Sequence, residues 1–359
     1  MFRTVTGEQA LGFVPSDARG WAEALEPRLN RQRAHAEHFD AYYSGEHQLE
    51  LANELFRDVF GTAPRSHERE SERLLQLHHL HAPHVNLAAI GVDAVAERLI
   101  VDGFRVGSDD DQAGAAAARD WWLGNSLDVM SSIAHVESLA KGTAAALLWP
   151  GVDGQPVASI EDATQMVVHR RQAPPYDVDA ALKVYRDEWT GADVALLWLP
   201  GRRYTLKAGD AEMINGVRSR WQIVEDVAGP AFVPVVELAN RARLIRPPSS
   251  QIEHVAPLVD AHTLLLADMI VAADTGAFPI RTATGIKLVM GSDGEPRTPF
   301  DARADHAMVS ENPDAKFGTL DAANLAGYVA ALDMLLREIR TLTRVPEHYY
   351  GSGAAAGMS

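Results

Sequence analysis

Two segments of this chain carry a seven-residue apolar repeat, and that repeat constrains the fold more than any other feature. In "QIEHVAPLVDAHTLLLADMIVAADTG" (251–276), Ile252, Val255, Val259, His262, Leu266, Met269 and Ala273 alternate at spacings of three and four. In "LDAANLAGYVAALDMLLREIRTLTR" (320–344), Leu325, Val329, Leu332, Leu336 and Ile339 do the same, and Tyr328, Leu335 and Leu342 form a second line. Residues so spaced share one side of a helix. Each segment therefore reads as a long helix with a wide apolar seam. Pro257 either sits in the first turn of its helix or kinks it. The opposite faces read as polar throughout: Glu253, Asp260 and Asp268 on the first helix, and Asp321, Asp333 and Glu338 with Arg337, Arg340 and Arg344 on the second.

Between the two helices, 277–319 is turn-rich. "TGIKLVMGSDGEPRTPF" reads as a hairpin turning at Ser292–Gly294, and "SENPDAKFG" as a loop. The second half is thus helix, small β insert, helix: a projecting helical hairpin with a small domain at its tip. By spacing alone, the seams fit packing inside one chain's core as well as packing between subunits. The polar faces favour subunits, with the helices side by side in a ring, seams buried on neighbours and charge toward a lumen.

The first half mixes classes. A helix over 17–43 is capped by Asp17 and ended by Gly45, and another follows Asn86, with Leu87, Ile90, Ala94, Val95 and Leu99 near helical spacing before Gly103. Two more helical stretches occupy 111–125 and 126–142. From about 143 to 236, short runs such as "TAAALLWP", "QMVVHRR", "ALKVYRDEW" and "DVALLWLP" alternate with turn signals. They predict an antiparallel sheet packed on the preceding helices. The fold class is α+β.

Composition narrows the chemistry. With no cysteine among 359 residues, disulfides and thiolate–metal sites are excluded and a reducing compartment is the natural setting. No run approaches the roughly 18 consecutive apolar residues of a membrane span, and the N-terminus lacks a signal-peptide core. A soluble chain, cytoplasmic when made, is expected. Thirty-three Lys+Arg against 49 Asp+Glu leave a formal charge of −16, the wrong sign for gripping nucleic acid by phosphate neutralisation. His78, His79, His81 and His84 in "LHHLHAPH" could ligate zinc, but HExxH and a carboxylate partner are missing. "GSDDDQ" (107–112) lacks the calcium-loop pattern, and "GSGAAAG" (351–357) lacks the strand before and the lysine after that a phosphate loop needs. There is no GxSxG elbow. The seven tryptophans lie mostly in core-like strands or helices. No cofactor, metal or catalytic residue is expected.

The order of "FDAYYSGEHQL" (39–49), "NLAAIGVDAVAERLIVDGF" (86–104), "VPVVELANRAR" (233–243), "LVDAHTLLLADMIVAADTGAFP" (258–279) and "LTRVPEHYYGSG" (342–353) resembles portal proteins of tailed bacteriophages. The similarity is greatest to the long-tailed phages of Gram-positive, especially actinobacterial, hosts, and it covers roughly 39–353. The resemblance implies a ring, usually a dodecamer, at one vertex of the capsid. Double-stranded DNA is packaged through its channel by the terminase and later ejected, and the head–tail connector attaches there. It implies a portal fold with 1–245 as a helical and antiparallel-β wing, 246–276 and 320–343 as the two stem helices, 277–319 as a small α/β clip, and 344–359 as the start of the tunnel loop. The kinked helix and crown that continue the family's fold are expected to be missing from this sequence.

Several site expectations follow from the resemblance. Glu253, Asp260, Asp268, Asp333, Arg337 and Arg340 become candidate channel-facing residues. Val259, Leu266, Met269, Leu325, Val329, Leu332, Leu336 and Ile339 become the candidate inter-subunit seam, and Val345, Pro346, Glu347, His348, Tyr349 and Tyr350 the candidate tunnel loop. Fixed negative charge within a Debye length of passing phosphates, roughly 8–10 Å at physiological salt, would keep the duplex from sticking. Implied partners are other copies of the chain, the terminase large subunit, a head-completion adaptor, the scaffold and major capsid proteins, and DNA, with no membrane. The implied location is the virion, with assembly in the host cytoplasm. Two alternatives stay open. One is another ring- or shell-forming head protein without a DNA channel; the other is a metal-dependent enzyme built on the histidines, which would bind zinc and lose activity on His81→Ala.

Overall fold

Asp17 starts the first helix as expected: its Oδ1 accepts from the Gly20 N–H at 2.8 Å. Gly45, at φ 78°, ends it. A computed structural model describes residues 17–47, 85–105, 112–151, 154–171, 176–214, 217–243, 246–277, 281–285, 289–290, 296–297, 314–319 and 324–351. By contact density the chain divides into two units. One comprises Met1–Gln48, Asn86–Ala256 and Val345–Ser359, the other Leu49–Val85 and Pro257–Arg344.

In the first unit, α1 (Ala18–Ser44) lays Ala18, Ala22, Leu25 and Leu29 on a five-stranded antiparallel sheet in the order β3-β4-β5-β6-β7. Its strands are β3 (Met166–Arg170), β4 (Val178–Arg186), β5 (Asp193–Leu199), β6 (Arg202–Ile214) and β7 (Val217–Ala228). Side chains alternate across a strand, so Leu182 and Leu197, paired in register, face α1, while Ala181 and Trp198 face the other way. There they meet Ala145, Leu147 and Val235 of a second sheet, β2-β1-β8, built from β1 (Thr143–Pro150), β2 (Pro156–Glu161) and β8 (Val235–Ala239). The expected single sheet is therefore two, stacked with α1 as three layers. Trp198, 3% exposed, closes the interface between the sheets. Polar bonds fix α1 as well: Trp221 Nε1 donates to Glu26 Oε2 at 3.0 Å, and Gln32 Nε2 donates to the Ala163 and Met166 carbonyls at 2.7 Å each.

The remaining helices of this unit are α2 (Leu87–Ala96), α3 (Gln112–Gly124) and α4 (Leu127–Lys141). Asn86 caps α2 by accepting from the Ala89 N–H at 3.2 Å, and its amide donates to the Tyr43 carbonyl at 2.6 Å. The helix stops at Ala96, short of the expected limit, and Leu99 lies beyond it, 41% exposed. Helix α4 packs against β1, β2 and β8, and Ser138 Oγ donates to the Leu238 carbonyl at 2.7 Å. It ends at Gly142, φ 93°, where a Cβ would come within 3.0 Å of the Ser249 carbonyl carbon. The chain at Ser249–Ser250 is held there. Ser250 Oγ donates to the Ala140 carbonyl at 2.5 Å and accepts from the Ile252 N–H at 3.0 Å.

In the second unit, α5 (Ala256–Ala277) begins one residue before Pro257, so the proline takes the first turn, where its missing N–H costs nothing. Strands β9 (Arg281–Thr284) and β12 (Lys316–Thr319) pair antiparallel, Arg281 opposite Thr319. The two ends of the insert thereby meet close to the helices they connect. The segment read as the loop "SENPDAKFG" thus ends in a strand, because Lys316–Thr319 finds a ladder partner distant in sequence. The expected hairpin is present as β10 (Val289–Met290) paired with β11 (Pro296–Arg297), its turn lying outside the described residues. Helix α6 (Leu325–Thr343) starts at Asn324, whose Oδ1 accepts from the Ala326 N–H at 3.1 Å.

Candidate inter-subunit and channel surfaces

Helix α6 displays the expected seam unevenly. Leu325 is 38% and Val329 51% exposed, Leu332 and Leu336 are half-buried, and Ile339 is fully buried. Off this line, Met334 is 59% and Leu342 46% exposed. Apolar side chains left in water along consecutive turns form a stripe that a partner can cover. On the same helix Asp333, Arg337 and Glu338 are exposed, and Arg340 is half-buried. Thr343 Oγ1 returns a bond to the Ile339 carbonyl at 2.9 Å. Arg344, at φ 57°, takes the left-handed cap that glycine usually fills, and its N–H reaches the Arg340 carbonyl at 2.8 Å.

Helix α5 departs from the sequence reading. Of its expected polar face, Glu253 precedes the helix and is exposed, Asp268 is half-buried, and Asp260 is only 4% exposed. His262 and Thr263 are buried too, Thr263 Oγ1 donating to the Val259 carbonyl at 2.9 Å. Asp260 is thus not a solvent-facing carboxylate of the chain. Both Val259 and its neighbour are enclosed, so the first turns have no polar side facing water. Burial holds the His262 pKa below its ordinary value. Leu266 and Met269 are half-buried. Over Ala256–Ala273 the helix is long and apolar enough to cross a membrane by length and composition, with mean hydropathy 1.5, although Asp260 and Asp268 would be costly in lipid.

The expected tunnel-loop segment belongs to the first unit and forms a short 3-10 turn, Glu347–Tyr350. Val345 is buried, Pro346, Glu347 and His348 are exposed, and Tyr349 and Tyr350 are half-buried. The turn rests on the end of α2: Tyr349 OH donates to Glu97 Oε2 at 3.4 Å, and the Arg98 guanidinium lies 5.9 Å from the Tyr349 ring centre.

The histidines at 78–84 and most of "GSDDDQ" lie outside the described residues, as does all but the first residue of "GSGAAAG". Among the described residues no group of three or more His, Asp or Glu could hold a metal ion. Sequence reasoning missed one exposed residue. Trp189, placed at the end of a strand run, sits on the turn between β4 and β5 and is 97% exposed. The turn residues "DEWTG" were the available signal.

The family profile described as "Phage portal protein, SPP1 Gp6-like" matches residues 23–358. The chain belongs to the phage portal protein family. Among its relatives, the "Portal protein" of Mycobacterium phage L5 is 29% identical over 300 residues, covering 80% of this chain and 58% of that protein. The "Portal protein" of Mycobacterium phage D29 is 27% identical over 283 residues, covering 76% and 56%. The chain spans a little over half the length of these curated relatives. The resemblance to portal proteins of actinobacterial phages stands. The mixed α and antiparallel-β architecture agrees with the expected α+β class.

Proposed function

We propose that the chain is the repeating subunit of a portal ring at one capsid vertex, a structural part with no bond-making chemistry of its own. Double-stranded DNA enters the head through its channel, driven by the terminase, and leaves by the same route. A head-completion adaptor docks on it, and scaffold and major capsid proteins surround it. In this reading 1–245 is the wing, 246–276 and 320–343 are the two stem segments that carry α5 and α6, 277–319 is the clip, and 344–359 starts the tunnel loop. The grouping of Pro257–Arg344 in one compact unit, which also takes in Leu49–Val85 from the wing range, supports a stem-and-clip body. The ring assembles in the host cytoplasm and ends in the virion.

One observation besides family membership carries the reading: the apolar stripe of Leu325 and Val329 on α6, with Met334 and Leu342 also exposed, is left open by the chain itself. A neighbouring subunit's stem would cover it. Val329→Asp puts a charge in that contact without touching the chain's own core. Self-association by sedimentation velocity should fall at least tenfold while the unfolding temperature stays put. Unchanged assembly in this variant would remove the stem seam from the proposal.

A further inference from the structure

Several cations of the first unit are answered within the chain. Lys141 meets Asp162 and Glu137, Arg170 meets Glu237, and Arg171 meets Asp179. Arg33 Nε donates to the Thr164 carbonyl at 2.7 Å. Arg28 and Arg31 are different. They stand one turn apart on α1, so their side chains share a face. Arg28 Nη1 lies 2.6 Å from His169 Nδ1. A guanidinium only donates, so that nitrogen accepts and the imidazole is neutral. The bond leaves the Arg28 charge uncancelled. Arg31 is exposed and forms no ion pair among the described residues. Burial first, then the Arg31 charge, hold the Arg28 pKa below its ordinary value, and Glu237 pulls the other way more weakly.

The two arginines line a cleft of about 340 Å³. Its walls are α1, the edge strand β3, the start of β1, β8 and the stretch at Pro247–Pro248. The other charged groups in the wall are already engaged. Lys141 is held by its carboxylates. Glu237 Oε2 accepts from Arg170 Nε at 3.0 Å. His35 has its pKa lowered by burial, which outweighs the attraction of Glu253, so the ring is neutral near pH 7. Two positive charges remain on one side of the hollow.

Like charges at this spacing repel, and an anion bound to both removes the repulsion. Each guanidinium offers a planar fork of N–H groups that matches an oxyanion. A phosphate presents acceptors in three dimensions and carries about −1.5 to −2 charges at neutral pH, so it can satisfy two forks at once. The cleft has room for it and for a small organic group attached to it. We propose that Arg28 and Arg31 form an oxyanion site in the first unit and that its ligand is a phosphate. The formal charge of −16 works against a duplex as the source, so a free phosphate is expected. The site stands or falls independently of the ring.

The test titrates inorganic phosphate into the full chain by isothermal calorimetry at constant ionic strength, with acetate for comparison. Saturable phosphate binding is expected, with acetate weaker. Arg31→Ala changes an exposed position and should weaken phosphate about tenfold with an unchanged unfolding temperature. Arg31→Lys, which keeps the charge and loses the fork, should fall between the two. Arg119→Ala, at an exposed position on α3, should bind as wild type does. A short DNA duplex separates the sources. Failure to displace phosphate assigns the site to the free ion; displacement that depends on Arg31 keeps the site and assigns it to the DNA backbone. No saturable binding of either, acetate as tight as phosphate, or equal losses in Arg31→Ala and Arg119→Ala overturns the proposal.

Discussion

The Lys141 ammonium lies 2.6 Å from Asp162 Oδ2, joining the end of α4 to the turn between β2 and β3. Glu137 Oε2, one turn back on α4, is also 2.6 Å away. Burial pushes the Asp162 carboxyl up, but the bonds from Lys141 and from the Thr164 N–H outweigh it and hold its pKa below the ordinary value. Burial likewise works against the Lys141 charge, and its bonds to Asp162 and Glu137 prevail, raising its pKa.

Lys141→Met keeps the packing and strands the two carboxylates. Breaking a fully buried pair costs about 3–5 kcal/mol; with Asp162 a third exposed, about 2–3 kcal/mol is expected by urea unfolding. Because the Asp162 pKa is depressed in the fold, its contribution is complete above the unfolded value of about 3.9 and disappears as pH falls through the folded value. Wild type should therefore lose stability below about pH 4 more steeply than Asp162→Asn.

Tyr43 donates to Asp93 Oδ1 at 2.9 Å, tying α1 to α2. Burial first, then that bond, pushes the phenol up to about 12. The raised value favours the folded state fully below the unfolded pKa near 10, and the benefit is lost as pH climbs toward the folded value. Tyrosinate absorbance should show one late-titrating tyrosine, absent from Tyr43→Phe. That variant should be less stable by about 1 kcal/mol.

Gly142 combines a left-handed backbone with the close approach of Ser249 and Ser250. Gly142→Ala incurs both penalties, and a loss of about 2–4 kcal/mol is expected from thermal or urea unfolding. The Ser250 bonds to the end of α4 should loosen too, which hydrogen exchange at the Ile252 N–H would register.

The acidic balance predicts that the proposed channel does not hold DNA. In Asp333→Lys with Glu338→Lys, two exposed positions on α6 reverse sign in every subunit. Fluorescence anisotropy with a short duplex should show little binding by wild type. The variant should gain at least tenfold, with affinity falling steeply as salt rises. A variant indistinguishable from wild type would remove these residues from the lumen.

Helix ends were legible because single side chains make them: Asp17, Gly45 and Asn86 cap where their chemistry says they should. The two long helices α5 and α6 were legible as periodicity. The division of the β region into two sheets was not. Central strands such as β4 are buried on both faces, so their apolar run carries no alternation to reveal what each face meets. Asp260 misled because a charged residue on a helix reads as solvent-facing, whereas it is 4% exposed. Trp189 was hidden by its hydrophobicity, which resembles core until the turn geometry puts it at a tip. Strand β12 needed a partner 32 or more residues away, which no local pattern shows.

The proposed hollow ring is tested most directly by imaging the purified full chain by electron microscopy and counting subunits by native mass. The account predicts closed rings, twelvefold by the family's habit, with a central opening wide enough for a DNA duplex. A population of monomers, or of closed particles lacking a through-going hole, would contradict it.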